Sequence, residues 1–192
     1  MRVVKAIVPA AGLSSRFGGP NKMLADWNGK SVVRNVVDTL VDCDIEVLVV
    51  TGRDAELVEQ EVRPARCVFN AEFASGLGSS LAAGVSATGP CNGFLIALGD
   101  MPNLRAEVVR SLIDRFESAP EGAIVAPGYS SEPDRLGHPI VFCASYRATL
   151  EALSGDAGAR SIIQANRQTV VRVSIEGELA DIDTPFEANT RM

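Results

Sequence analysis

The chain has 192 residues, 46% of them hydrophobic, and its 24 acidic against 18 basic side chains give a net charge of −6. That size buries a core without disulfides or metals, so a single domain over 1–192 is expected, and the acidic balance argues against a nucleic-acid binder, which needs a basic face. No apolar run approaches the ~18 residues of a membrane helix, and Met1-Arg2-Val3 leads straight into a strand-like run, so neither a membrane span nor a signal peptide is expected. Cys43, Cys67, Cys91 and Cys143 are far apart and form no CxxC pair. Buried free thiols in a reducing cytoplasm are the expectation.

The first element is a strand over Val3–Val8. It opens into Pro9-Ala10-Ala11-Gly12-Leu13-Ser14-Ser15-Arg16-Phe17-Gly18-Gly19-Pro20-Asn21-Lys22. Gly12, Gly18 and Gly19 let the backbone turn tightly and present bare N–H groups. Arg16 and Lys22 add positive charge. Backbone donors and two cations together suit a triphosphate, while a plain glycine-rich turn after a strand explains the spacing equally well. The loop is neither a Walker A sequence nor a dinucleotide fingerprint.

Next comes a helix over Ser31–Leu40, with Val32, Val33, Val36, Val37 and Leu40 on one stripe. Strands follow at Ile45–Val50, Arg66–Phe69 and Gly93–Leu98. A second striped helix covers Arg105–Phe116, and further strands lie at Ala123–Ala126, Pro139–Phe142 and Val170–Val173. Alternating strands and amphipathic helices, with several strands apolar throughout, predict an α/β fold: a mostly parallel sheet with helices on both faces. Ligands of such sheets bind beyond the carboxyl ends of the strands. The loop after strand one and Asp100, after a central strand, therefore face one cleft. The segment Gly128–Gly137 reads as a loop and a candidate lid.

Several side chains carry two readings each. Asp100 follows the apolar run Phe94–Leu98, where a carboxylate needs a partner. Magnesium held with nucleotide phosphates is one such partner, and a structural cap on the next helix is the other. Asp181 and Asp183 flank Ile182 and point the same way in an extended segment, with Asp183 or Thr184 also able to cap a helix starting at Pro185. Ser79 and Ser80 precede Leu81–Val85, which reads as a helix that either serine could cap. Asn70 ends a strand and suits a turn. His138, the only histidine, follows the candidate lid, and packing or contact with a ligand are both open. Asp156 is placed to cap the helix that carries Arg160, and the arginine by itself reads as solvated.

The order of these motifs along the whole chain resembles that of the MobA-like NTP transferase family. The resemblance rests on Pro9–Lys22, Asn70 with Gly76-Leu77-Gly78-Ser79-Ser80-Leu81, Leu98-Gly99-Asp100-Met101-Pro102, Gly137-His138-Pro139, Gly155-Asp156-Ala157-Gly158-Ala159-Arg160 and Asp181-Ile182-Asp183-Thr184-Pro185. Within the family the chain looks most similar to the molybdenum cofactor cytidylyltransferases. The resemblance implies a Rossmann-like nucleotidyltransferase fold that moves CMP from CTP to the terminal phosphate of molybdopterin and releases pyrophosphate. It implies Arg16, Lys22 and Asp100 as catalytic residues, Mg²⁺ on Asp100 and Asp183, and the nucleotide against Ala10, Ala11, Gly12, Asn70 and Ser80. His138 and Arg160 would meet the acceptor, and a client molybdoenzyme or its chaperone would receive the product. Gly78 stands where the family usually has serine, so that contact is lost. Cytidine-using members tend to carry Ala-Ala-Gly as here, and the Ala11 methyl is expected to crowd a purine. The alternatives are a relative using GTP or another phosphorylated acceptor, and a non-catalytic carrier of the pterin.

Overall fold

A computed structural model of the chain describes residues 1–13, 20–129 and 132–175. Strand β1 (Val4–Pro9) is followed by a short hairpin of β2 (Asp26–Trp27) and β3 (Lys30–Ser31) and by helix α1 (Val32–Val41). Ser31 caps α1 by accepting a hydrogen bond from the Arg34 N–H at 3.4 Å. The expected valine stripe is the face that α1 buries. Then come β4 (Glu46–Thr51), α2 (Ala55–Glu61), β5 (Arg66–Phe69), α3 (Leu77–Ala87), β6 (Gly93–Ile96) and α4 (Ala106–Glu117). The last part holds β7 (Ile124–Tyr129), β8 (Glu132–Leu136), β9 (Ile140–Cys143), α5 (Arg147–Glu151), α6 (Arg160–Ala165) and β10 (Val170–Ile175).

The main sheet runs β10-β7-β9-β6-β1-β4-β5, with β8 paired to β7. β1 is parallel to β4 and β6, β4 to β5, and β7 to β10. β9 runs against both β6 and β7. All the other strands on that path therefore end at one edge of the sheet, and the chain enters β9 from that same edge. The mostly parallel α/β fold expected from the sequence is present. Side chains of β1 alternate between two cores. Ala6 and Val8 pack with α1, α2 and α4, and Ile7 packs with Leu81 and Val85 of α3, Leu150 of α5 and Ile162 of α6. Burial of both faces is why the central strands read as unbroken apolar runs. No helix among the described residues is long and apolar enough to cross a membrane.

Two local expectations change. The segment expected to be a loop, 128–137, is largely strand. β9 pairs with β7 only at Ile124 and Val125, so the outer half of β7 would be left with open hydrogen-bonding groups, and β8 pairs there instead. Of the four cysteines only Cys143 is buried; Cys43, Cys67 and Cys91 are partly exposed, and all four are free. Burial, helped by the nearby Glu59 charge, pushes the Cys67 thiol up to about 11, which keeps it unreactive at neutral pH.

Arg147 fixes the end of α3 from below. Its guanidinium donates to the carbonyls of Val85 at 2.9 Å, Thr88 at 3.1 Å and Gly89 at 3.1 Å, and lies 4.8 Å from the centre of the Phe94 ring. Carbonyls at a helix end have no partner within the helix, so this fork supplies one. Arg147→Ala is expected to lower stability by about 2–4 kcal/mol, the scale for leaving buried acceptors unsatisfied. Arg147→Lys should recover only part of it, because an ammonium cannot span three acceptors in a plane. Urea denaturation monitored by circular dichroism measures both; an alanine variant as stable as the parent would contradict the role.

Candidate active site

Two loops meet at the carboxyl edge of the central strands. The first leaves β1 through Ala10 and Ala11, both buried, and the Ala10 N–H donates to the Val50 carbonyl at 2.8 Å. Residues 14–19, including Arg16, Gly18 and Gly19, lie outside the described residues. The chain resumes at Pro20, and Asn21 is 3% exposed. The Asn21 side chain accepts from the Met23 N–H at 3.1 Å and donates to the Arg53 carbonyl at 3.1 Å. It thereby holds the single helical turn Lys22–Leu24 that presents Lys22.

The second loop leaves β6. The Gly99 N–H donates to the Pro9 carbonyl at 3.2 Å. A Cβ on Gly99 would stand 2.9 Å from that oxygen and 3.2 Å from Met23 Sδ, so only glycine allows so close an approach. The result is contact between Lys22 Nζ and Asp100 Oδ2 at 2.5 Å, with the two side chains 17% and 13% exposed. Seventy-eight positions of sequence separate them. The helix-cap reading of Asp100 is not realised: the next helix starts at Ala106, with Arg105 at its cap position.

Magnesium takes one or two carboxylates together with phosphate oxygens. Asp100 offers one, and no group of three or more His, Cys, Asp or Glu gathers among the described residues. This donor set suits a metal that arrives on phosphates rather than one caged by protein alone. Asp181 and Asp183 lie outside the described residues.

The turn before α3 corrects the sequence reading. The helix starts at Leu77, not at Leu81, with Gly76 at its cap position. Ser79 and Ser80 therefore sit inside its first turns. Both hydroxyls accept hydrogen bonds from Asn70 Nδ2, at 2.9 and 3.1 Å, and Asn70 Oδ1 accepts from the Glu72 N–H at 3.0 Å. Asn70 and Ser80 are buried, and they act as the turn-fixing pair that the spacing allows. Gly78 donates its N–H to the Gly155 carbonyl at 2.8 Å. A Cβ there would lie 2.7 Å from the carbonyl oxygens of both Ser154 and Ala157. The glycine thus replaces a hydroxyl contact with close packing of the 154–157 loop. Asp156 lies over Gly76 and does not cap α6, whose cap position is Ala159.

Ala11 is 1% exposed and packs with Ile7, Val50 and Leu81. Its methyl points into the core, so it does not crowd a bound base directly, as the sequence reading assumed. Gly12 is exposed, with open space where a Cβ would be.

Beside this edge lies a cavity of about 730 Å³. His138 and Arg160, distant in sequence, both line it. Leu98, two residues before Asp100, forms part of its wall. Arg135, Arg167 and Arg172 line it too, and sequence reasoning gave no sign of them. They belong to β8, to the turn after α6 and to β10, and nothing in their spacing marks them as a set. Asn21 was likewise missed; its position directly before Lys22 was the available signal.

Gly78→Ala is expected to destabilise the protein by about 1–3 kcal/mol, the scale for overpacking, and to loosen the 154–158 loop. Thermal denaturation and limited proteolysis within that loop measure the two effects. An alanine variant with unchanged stability would show that the loop yields freely.

The model of the MobA-like NTP transferase domain matches residues 6–170. A protein of Paenarthrobacter nicotinovorans named nicotine blue oxidoreductase is 35% identical over 94% of this chain and 92% of its own length. The molybdenum cofactor cytidylyltransferase of Escherichia coli is 30% identical over 96% of this chain and 93% of its own. Among solved structures, a nucleotidyl transferase from Methanothermobacter superposes with a TM-score of 0.82 at 24% identity, covering 98% of this chain and 95% of that one.

Proposed function

The chain belongs to the MobA-like NTP transferase family and is a nucleotidyltransferase, and from that premise we propose that it transfers CMP from CTP to the terminal phosphate of molybdopterin, giving molybdopterin cytosine dinucleotide and pyrophosphate. The observation that carries this reading is the Lys22–Asp100 pair at the edge of the central strands, beside a cavity rimmed with arginines. The acceptor and the base come from the cytidylyltransferase relative and from Ala10-Ala11-Gly12. The expected setting is the cytoplasm, with a client molybdoenzyme or its chaperone as recipient.

In this reaction an oxygen of the acceptor phosphate attacks the α-phosphorus. A new phosphorus–oxygen bond forms, and the bond to the bridging oxygen breaks to release pyrophosphate. A phosphate monoester is already ionised near neutral pH, so no general base is required and His138 is assigned to orientation. Lys22 neutralises charge growing on the leaving pyrophosphate, and Arg16 in the same loop does the same from outside the described residues. Positioning and electrostatics dominate such transfers. Asp100, with Asp183, would hold Mg²⁺, which when bound polarises the phosphate oxygens. The Asn70, Ser79 and Ser80 network fixes the backbone expected to face the base and ribose.

The relative named nicotine blue oxidoreductase gives a second reading, oxidoreduction. The family match over residues 6–170 and the Lys22–Asp100 pair at the sheet edge favour transfer. Purified protein supplied with CTP, Mg²⁺ and molybdopterin is expected to release pyrophosphate and form a dinucleotide visible by mass spectrometry. A parallel reaction with nicotine blue and a reduced nicotinamide is expected to show no loss of colour. Reduction without transfer would overturn the proposal.

Lys22→Ala and Arg16→Ala are each expected to reduce kcat/KM by about 2–4 kcal/mol, the scale of one preorganised electrostatic contact. Asp100→Asn should nearly abolish metal-dependent turnover with the fold intact, since an amide keeps the shape but lacks the charge that a hard cation needs. Normal magnesium dependence in that variant would make Asp100 structural only.

CTP is expected over GTP in kcat/KM, by no more than about 1–3 kcal/mol, since a single methyl is at issue. The Ala11 methyl is buried in the core, so an effect of Ala11→Gly on this preference is expected to run through the adjoining Gly12 backbone, and the variant should narrow the gap. Direct competition between the two nucleotides measures it; a GTP preference would move the chain to the guanylyl branch and leave the phosphate chemistry unchanged.

A further inference from the structure

The cavity beside Leu98 carries more positive charge than one phosphate monoester requires. Arg135, Arg160, Arg167 and Arg172 all line it, and among the described side chains no aspartate or glutamate does. Elsewhere among the described residues four arginines sit against carboxylates, Arg34 on Asp38, Arg53 on Asp54, Arg105 on Glu107 and Arg147 on Glu151, and Arg2, Arg110 and Arg115 bond to carbonyl or hydroxyl oxygens. Among the described residues Arg160, Arg167 and Arg172 make no ion pair or hydrogen bond. Arg135 is steadied by stacking 5.0 Å from the centre of the Tyr129 ring. Between the guanidiniums the walls are apolar, with Leu81, Ile96, Ile140 and Ile163 among them.

Guanidiniums pair with carboxylate or phosphate through two parallel hydrogen bonds, so a single monoester occupies one or two of them. Three without partners, gathered around one apolar chamber, match a ligand with more than one anionic group. They also come from different parts of the fold. Arg160 belongs to α6, Arg167 to the turn after it, and Arg172 to β10. Anions at separate positions on one rigid body would meet them separately.

We infer that this cavity selects an acceptor with at least two separate anionic groups, and that Arg167 and Arg172 are specificity-determining residues for the anion other than the attacking phosphate. The inference rests on reading the cavity as the acceptor site of the transferase. It accounts for the excess cations, for the lack of partners at Arg160, Arg167 and Arg172 among the described residues and for the apolar walls. It also predicts discrimination against acceptors whose only charge is one phosphate.

The test uses two fluorescent probes with the same aromatic body, pyrene tetrasulfonate and pyrene monosulfonate, titrated into the full chain at low salt. The tetrasulfonate is expected to bind at least about 30-fold more tightly, as for two further charge-assisted contacts. The double variant Arg167→Gln with Arg172→Gln should weaken the tetrasulfonate by about tenfold or more while leaving the monosulfonate, the melting temperature and CTP binding unchanged. In turnover, the variant should raise KM for the acceptor but not for CTP. Equal affinity for the two probes, or a double variant that binds the tetrasulfonate like the parent, would overturn the inference and leave four solvated arginines. If the selectivity holds but molybdopterin neither displaces the tetrasulfonate nor accepts CMP, the polyanion site stands and the proposed acceptor falls.

Discussion

β1 pairs in parallel with β4 on one side and β6 on the other, in register from Val4 opposite Gly93 to Ile7 opposite Ile96. Because the two strands run level, the chains leaving them are still side by side at Pro9 and Gly99, where one further hydrogen bond joins them. Parallel strands present their carboxyl ends at the same edge, so the loop carrying Lys22 and the turn carrying Asp100 must meet. Their opposite charges then compensate each other in a partly enclosed setting, where either alone would be costly. Asn21 completes the arrangement by tying the Lys22 turn to the Arg53 carbonyl beyond β4. The central part of the site is thus a consequence of strand pairing, and loop chemistry refines it.

The other half of the sheet has a different task. β9 is inserted against the direction of its neighbours, so the chain arrives at Ile140 from the active edge and brings His138 with it. The β7–β8 pairing and β10 extend the sheet past that point and carry arginines to the rim of the cavity. A chain with a net charge of −6 repels anionic substrates over most of its surface. Concentrating guanidiniums around one concavity focuses a positive field there. The geometry separates the Lys22–Asp100 pair from the neighbouring cavity, and in the proposed reaction the first serves the transferred phosphate and the second the acceptor.

The start of α3 links the two halves. Asn70 bonds to Ser79 and Ser80, and Gly78 sits under the carbonyls of the 154–157 loop. That loop leads directly into Gly158, Ala159 and Arg160 of the cavity wall. The glycine at position 78, where the family usually has serine, therefore has a structural counterpart: backbone of the 154–157 loop lies too close for a Cβ.

The sequence by itself determined the element types and the fold class. The apolar runs, the valine stripe of α1 and the glycine-rich loop after strand one are local signals, set by side-chain periodicity and backbone freedom. It also singled out Lys22, Asp100, His138 and Arg160, because each stands next to such a signal. Only the tertiary structure decided which distant residues share a space. The true start of α3 at Leu77 follows from packing of Gly78 against a loop far along the chain. The inward direction of the Ala11 methyl follows from the core beneath it. Arg135, Arg167 and Arg172 look like any solvated arginines in one dimension, since nothing local distinguishes a cation facing water from one facing a cavity. Their grouping depends on β7, β8 and β10 lying side by side, and long-range strand pairing has no local sequence signature.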